Sequence, residues 1–156
     1  EREGELCVVC GENLFFYQSD IDEFLKTKAA ANTMVEYLMA CIGLQMDEIE
    51  RFYVSGAFGT HISRSSGITI GLYPDLPEER LILPGNTSLA GAGKMLLNRA
   101  YAKKTEEILD KMEYVQFGAV EDFLQIMVAA AAFPHTDYRR YPSVMEELAR
   151  RGRPLE

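Results

Sequence analysis

The chain has 156 residues, a formal net charge of −8, 47% hydrophobic residues and 26% charged ones. That length suits one domain with a sizeable core, while the acidic balance argues against a nucleic-acid partner, whose phosphates need clustered Lys and Arg. No apolar run reaches the roughly 18 residues that span a bilayer, so no membrane partner is expected, and with no leader visible a cytoplasmic setting is the default expectation.

Two short β-rich runs, 5–10 and 13–18, are split by Gly11-Glu12 and predict a hairpin. Ser19 or Asp20 then offers a helix cap, and the acidic Asp20 and Asp22 suit the positive end of a helix dipole. Phe24, Leu25, Ala31, Val35, Leu38, Met39 and Ile42 recur near helical spacing, and Gly43 closes that helix. A short acidic turn at 47–50 leads into a strand over Arg51 to Val54. Past Ser55-Gly56-Ala57-Phe58-Gly59, residues Ser66 to Leu72 read as one or two helical turns, ended by Pro74. A loop over 75–79 precedes a strand over Arg80 to Leu83.

The next segment is Gly85-Asn86-Thr87-Ser88-Leu89-Ala90-Gly91-Ala92-Gly93. Thr87 or Ser88 is expected to cap a helix running through Tyr101. A glycine in a helix interior costs about 1 kcal/mol relative to Ala, so two here ask for close packing. Then follow a charged helix over Lys104 to Met112, a strand over Tyr114 to Phe117, a helix over Val120 to Phe133 stopped by Pro134, and an amphipathic helix over Ser143 to Arg151. Strands alternating with helices in this way predict an α/β fold.

The three cysteines are an odd number and argue against a disulfide framework. Cys7 and Cys10 have CxxC spacing but lie in a predicted strand, where i and i+3 project to opposite faces, so they are expected to be structural. Cys41 falls on the apolar helix face and is expected in the core. His61 and His135 have no partner at metal-ligand spacing. Asp75, Glu78 and Glu79 read as loop carboxylates, and the run Ala129 to Phe133 as core or interface.

The chemistry concentrates in two glycine-containing turns, each after a predicted strand. By itself such a turn is commonly no more than a tight strand–helix connection. In an α/β sheet, however, ligands bind at the carboxyl ends of strands, where turns and helix N-termini expose free N–H groups. If the two strands are parallel neighbours, the turns lie side by side.

Phe52-Tyr53-Val54-Ser55-Gly56-Ala57-Phe58-Gly59 resembles the adenosine motif of the actin-like ATPase superfamily, and Ser88-Leu89-Ala90-Gly91-Ala92-Gly93 its small-residue connecting helix. Within that superfamily the chain is most similar to the C-terminal domain of the reductive activators of corrinoid proteins. That likeness rests on Ser19-Asp20-Ile21, Lys28-Ala29-Ala30, residues 53–59, Ile70-Gly71-Leu72-Tyr73-Pro74-Asp75, Gly85-Asn86 and Leu89-Ala90-Gly91-Ala92, spanning about residues 19 to 99.

The resemblance implies a ribonuclease-H-like half-domain, a mixed sheet with helices on both faces. It implies ATP, with Mg in the full-length protein, bound by Lys28, Ser55, Gly56, Ala57, Phe58, Gly59, Gly85 and Asn86. The alternative for Lys28 is a solvated lysine. Ala90, Gly91 and Ala92 would pack as a hinge against a matching half. A [2Fe–2S] cluster is implied elsewhere in the full-length protein, with a corrinoid protein as partner and Co(II) reduced to Co(I). The chain opens on Glu1 and is expected to be a single domain from the C-terminal part of a longer protein. Within it, 1–18 form the hairpin, 19–102 the nucleotide-site core and 103–156 the C-terminal helices and strand. Two alternatives stand beside this reading: a homodimerisation or corrinoid-protein docking module without catalysis, and half of a sugar or metabolite kinase of the same fold.

Overall fold

The structure is a computed structural model that describes residues 1–2, 4–117 and 122–153. β1 (Cys7–Gly11) and β2 (Leu14–Tyr17) form the expected antiparallel hairpin, with Cys7 opposite Tyr17. α1 (Gln18–Ile42) follows without a break and ends at Gly43, whose φ of 68° only glycine adopts readily. Its start lies one residue before the expected cap, and the Asp20 carboxylate accepts the Tyr17 N–H at 3.1 Å.

β3 (Phe52–Ser55) runs into α2 (Gly56–His61), and α3 (Arg64–Thr69) is capped by Ser63, whose hydroxyl accepts the Ser66 N–H. β4 (Leu81–Gly85) lies parallel to β3, pairing Phe52 with Leu81, Tyr53 with Ile82 and Ser55 with Gly85. The sheet structure of the described residues is therefore one antiparallel and one parallel pair.

α4 (Thr87–Leu97) and α5 (Ala100–Leu109) replace the continuous helix expected through Tyr101. Asn98 leaves helical geometry and its side-chain oxygen accepts the Ala100 N–H at 2.9 Å, so it ends one helix and starts the next. The strand expected over Tyr114 to Phe117 does not form, and those residues have no ladder partner among the described residues. A β-rich tetrapeptide becomes a strand only when a sheet edge is within reach.

α6 (Phe123–Ala130) is shorter than the helix expected over Val120 to Phe133, whose residues 120–121 lie outside the described residues. α7 (Pro142–Arg150) closes the described chain.

The core gathers where α1, α6, the 71–76 turn and α7 meet. Ala29, Tyr73, Leu76, Leu81, Ala130, Tyr141 and Val144 are its buried apolar residues. Ala29 and Thr33 give α1 a small-residue stripe that lets α6 approach closely, and Thr33 returns its hydroxyl to the Ala29 carbonyl at 2.8 Å. The Tyr73 ring lies across Gly67 so closely that a Cβ there would sit 2.2 Å from it. Asp75, read as a loop carboxylate, lies in a loop and accepts the Ser143 N–H at 2.8 Å and hydroxyl at 2.6 Å, capping α7 from 68 residues away. Cys41 is exposed rather than in the core, because the last turns of α1, with Leu38 and Ile42, extend past the elements that cover its middle.

Candidate functional site

The parallel register brings the two glycine turns together. Ser55, the last residue of β3, pairs with Gly85, the last of β4, so Gly56 and Asn86 leave adjacent strands at the same end. Gly56 has φ 81° and Gly85 has φ 75°, in the left-handed region that favours glycine. A Cβ at either would meet nothing within 4 Å, so both turns present open backbone. Gly59 serves a different purpose: a Cβ there would lie 2.1 Å from the Val54 carbonyl oxygen, so its hydrogen lets α2 fold back onto the end of β3. Ser55 and Ala57 are exposed, and the Phe58 side chain lies outside the described residues.

Asn86, not Thr87 or Ser88, caps α4. Its Oδ1 accepts the Leu89 N–H at 2.9 Å, because asparagine reaches back over the first turn from a non-helical backbone. Gly91 and Gly93 have no neighbour within 4 Å of an added Cβ, and Ala90 and Ala92 are exposed. The small-residue face of α4 is thus open, and beside it Leu96 and Leu97 are 88% and 90% exposed.

Lys28 does not join the turns. Its side chain is fully buried in the seam between α1 and α6, and Nζ donates to the carbonyls of Ala130 at 2.6 Å, Ala132 at 2.5 Å and Pro134 at 2.5 Å. An ammonium has three N–H donors, and these contacts use all of them. It is therefore neither a solvated lysine nor, in this arrangement, one with a donor left for a nucleotide. Burial pushes its pKa down to about 8, against an upward pull from Glu36.

A cleft of about 1090 Å³ opens between α1, β3, the 72–77 turn and the 135–142 segment, and Ser55 contributes to its wall. Its polar side is a cluster that the sequence reading missed. Glu36 accepts from Arg140 Nη1, and His135 Nε2 lies 3.5 Å from the same carboxylate oxygen. His135 Nδ1 accepts the Asp137 N–H at 2.9 Å, so a neutral ring carries its proton on Nε2, toward Glu36. Tyr141 stacks on His135 with centroids 6.5 Å apart, donates to the Gly71 carbonyl at 3.3 Å, and is pushed up to about 12 by burial. Asn32 donates to that carbonyl at 2.7 Å. One signal for this cluster was legible: Lys28, Asn32 and Glu36 recur at i, i+4, i+8, a spacing that sets three polar side chains in one line along the helix.

The donor set separates the implied cofactors. The free cysteines, Cys7 half-buried and Cys10 and Cys41 exposed, form no metal-binding group, and the described residues contain no cluster of three or more His, Cys, Asp or Glu that could hold a metal. They do not fit an iron–sulfur cluster in this chain. The paired turns do fit one side of a nucleotide, with open backbone at Gly56 and Gly85 beside the N-terminus of an 11-residue helix. Among the described residues, no helix is long and apolar enough to cross a membrane.

The family model for the C-terminal domain of RACo, the ASKHA domain, matches residues 3–145. A solved structure titled "Reductive activator for corrinoid, iron-sulfur protein" is 35% identical and superposes with a TM-score of 0.78 over 83% of this chain. The match covers 21% of that protein, so the chain spans about a fifth of its length. No curated protein matches the chain. The fold is accordingly the α/β half-domain of the actin-like class. With residues 3–145 covered, the chain belongs to the family of the RACo C-terminal, or ASKHA, domain.

Proposed function

We propose that this chain is the nucleotide-binding C-terminal half of an ATP-dependent reductive activator, which returns a Co(II) corrinoid protein to Co(I). The single electron comes from an iron–sulfur cluster carried elsewhere in the full-length protein. One observation carries the reading: Ser55 pairs with Gly85, so two positive-φ, open turns stand side by side at the carboxyl ends of parallel strands. Ser55 and the backbone of Gly56 and Ala57 would take the adenosine side of the nucleotide. Gly85, Asn86 and the first turn of α4 would line the opposite edge. Magnesium and the terminal phosphates would be held by groups outside this chain, so cleavage of ATP requires the whole protein. The exposed stripe of Ala90, Gly91 and Ala92 would pack against the other half and transmit its closure.

Titration calorimetry of the full-length protein with ATP and ADP tests this. The wild type binds, and Gly56→Arg and Gly85→Arg each weaken binding by more than about tenfold, because a side chain fills the space a ligand needs. A wild type that binds neither nucleotide refutes the proposal. Equal binding by wild type and variants moves the site away from the turns.

A second reading, a docking or dimerisation module without nucleotide binding, is favoured by the exposed Leu89, Leu96 and Leu97 of α4. It requires a silent calorimetric trace together with a dimer, or a corrinoid-protein complex, that Leu96→Asp dissociates in sedimentation.

A further inference from the structure

The Lys28 ammonium closes the end of a helix. The last carbonyls of α6 lack intrahelical partners, and the negative end of the helix dipole points at them. Thr136 satisfies the Ala129 carbonyl through its N–H at 3.1 Å and its hydroxyl at 2.8 Å. The carbonyls of Ala130, Ala132 and Pro134 then converge on one point, and Lys28 Nζ fills it. Convergent backbone carbonyls with no carboxylate among them are the donor set of a site for a large monovalent cation.

The chain around this point is tightly fitted. Gly71 has φ 72°, and a Cβ on it would lie 2.0 Å from the Pro134 carbonyl oxygen and 2.9 Å from Lys28 Cε. The Gly71 carbonyl is held by Asn32 and Tyr141. Three segments distant in sequence, α1, the Gly71 turn and residues 130–141, thus meet at the ammonium. The last of these carries His135, Arg140 and Tyr141 into the cleft wall.

We infer that Lys28 is a built-in monovalent cation, a positioning residue whose ammonium occupies a three-carbonyl site and fixes the 130–135 turn, which delivers His135 to the cleft wall. Its covalent tether removes any need for a bound ion. Shortening the side chain should expose the same carbonyls to an external cation of similar size, such as ammonium, ethylammonium or potassium. This inference is independent of whether the glycine turns bind a nucleotide.

The test uses the full-length protein as Lys28→Ala, Lys28→Met and wild type, with hydrogen exchange followed in peptides from α1 and from residues 123–135. Both variants lose protection there by about a hundredfold or more, as expected when a buried group loses its partner. In Lys28→Ala, ammonium or ethylammonium chloride restores about tenfold or more of that protection in a saturable way, whereas tetramethylammonium chloride at equal ionic strength does not. Lys28→Met fills the volume without charge and is not rescued. If Lys28→Ala responds to all these salts as the wild type does, the inference is overturned. Should the variants fail to accumulate, acetylation of wild-type lysines decides it: Lys28 is labelled at least about tenfold more slowly than the exposed Lys26. Comparable labelling of the two lysines overturns the inference.

Discussion

Gly71→Ala is the substitution that most sharply separates two reasons for a glycine. The backbone is at φ 72°, so any side chain meets left-handed strain of about 1 kcal/mol. The added Cβ would also lie 2.0 Å from the Pro134 carbonyl oxygen, 2.7 Å from its carbon and 2.9 Å from Lys28 Cε. None of these atoms moves freely, since that oxygen accepts from Lys28 at 2.5 Å and Lys28 is tied to two further carbonyls. Forcing an overpacked methyl into such a site typically costs about 1–3 kcal/mol, and stretching a charge-assisted hydrogen bond about 1.5–3 kcal/mol. The expected total is about 3.5–7 kcal/mol. Gly56→Ala is the control: φ is 81°, but the Cβ enters open space, leaving the strain of about 1 kcal/mol. Hydrogen exchange of the full-length protein, with opening free energies taken from peptides in α1 and α6 for the first variant and in β3 and α2 for the second, measures both. Equal losses, or a loss below about 1 kcal/mol at Gly71, would refute the reasoning.

Other substitutions have outcomes set by the same structure. Leu81→Ala, at a fully buried position of β4, should cost about 2–5 kcal/mol, whereas Leu97→Ala, 90% exposed on α4, should leave local opening unchanged within error. Asp75→Ala removes the remote cap of α7 and should destabilise that helix by about 1 kcal/mol, read as faster exchange in residues 142–150 only. Lys28 makes a pH prediction. Burial lowers its pKa to about 8 from 10.5, so the fold releases this proton before the unfolded chain does. Between about pH 8 and pH 10.5 the unfolded state binds more protons, and the stability contributed by this group rises with pH, by up to roughly 3 kcal/mol. The gap in opening free energy between wild type and Lys28→Met should therefore widen in favour of the wild type from pH 7.5 to pH 10, and a narrowing gap would contradict the assignment.

Much of the chain was legible because its signals are local. The hairpin around Gly11-Glu12, α1 up to Gly43, β3, β4 and α7 follow from periodicity of side chains and from residues with unusual backbone preferences. The two glycine turns were equally readable, as was the family, since its motifs are short strings. Where local signals competed, the reading slipped by a turn or failed. Asn86 displaced Thr87 as a cap, Asn98 split a helix that propensity alone would continue, and 114–117 found no sheet edge.

What only the tertiary structure decided are the partners. Lys28 looked like a surface or ligand-binding lysine on an amphipathic helix, yet it bonds carbonyls 102, 104 and 106 residues away. Asp75 caps a helix 68 residues on, and Glu36 meets His135 and Arg140 across the cleft. Periodicity reports which face of a helix is polar, but not which buried carbonyls that face will meet. A lysine can lie fully buried only because the fold delivers three acceptors to one point, and that convergence comes from how α1, the Gly71 turn and the end of α6 pack together.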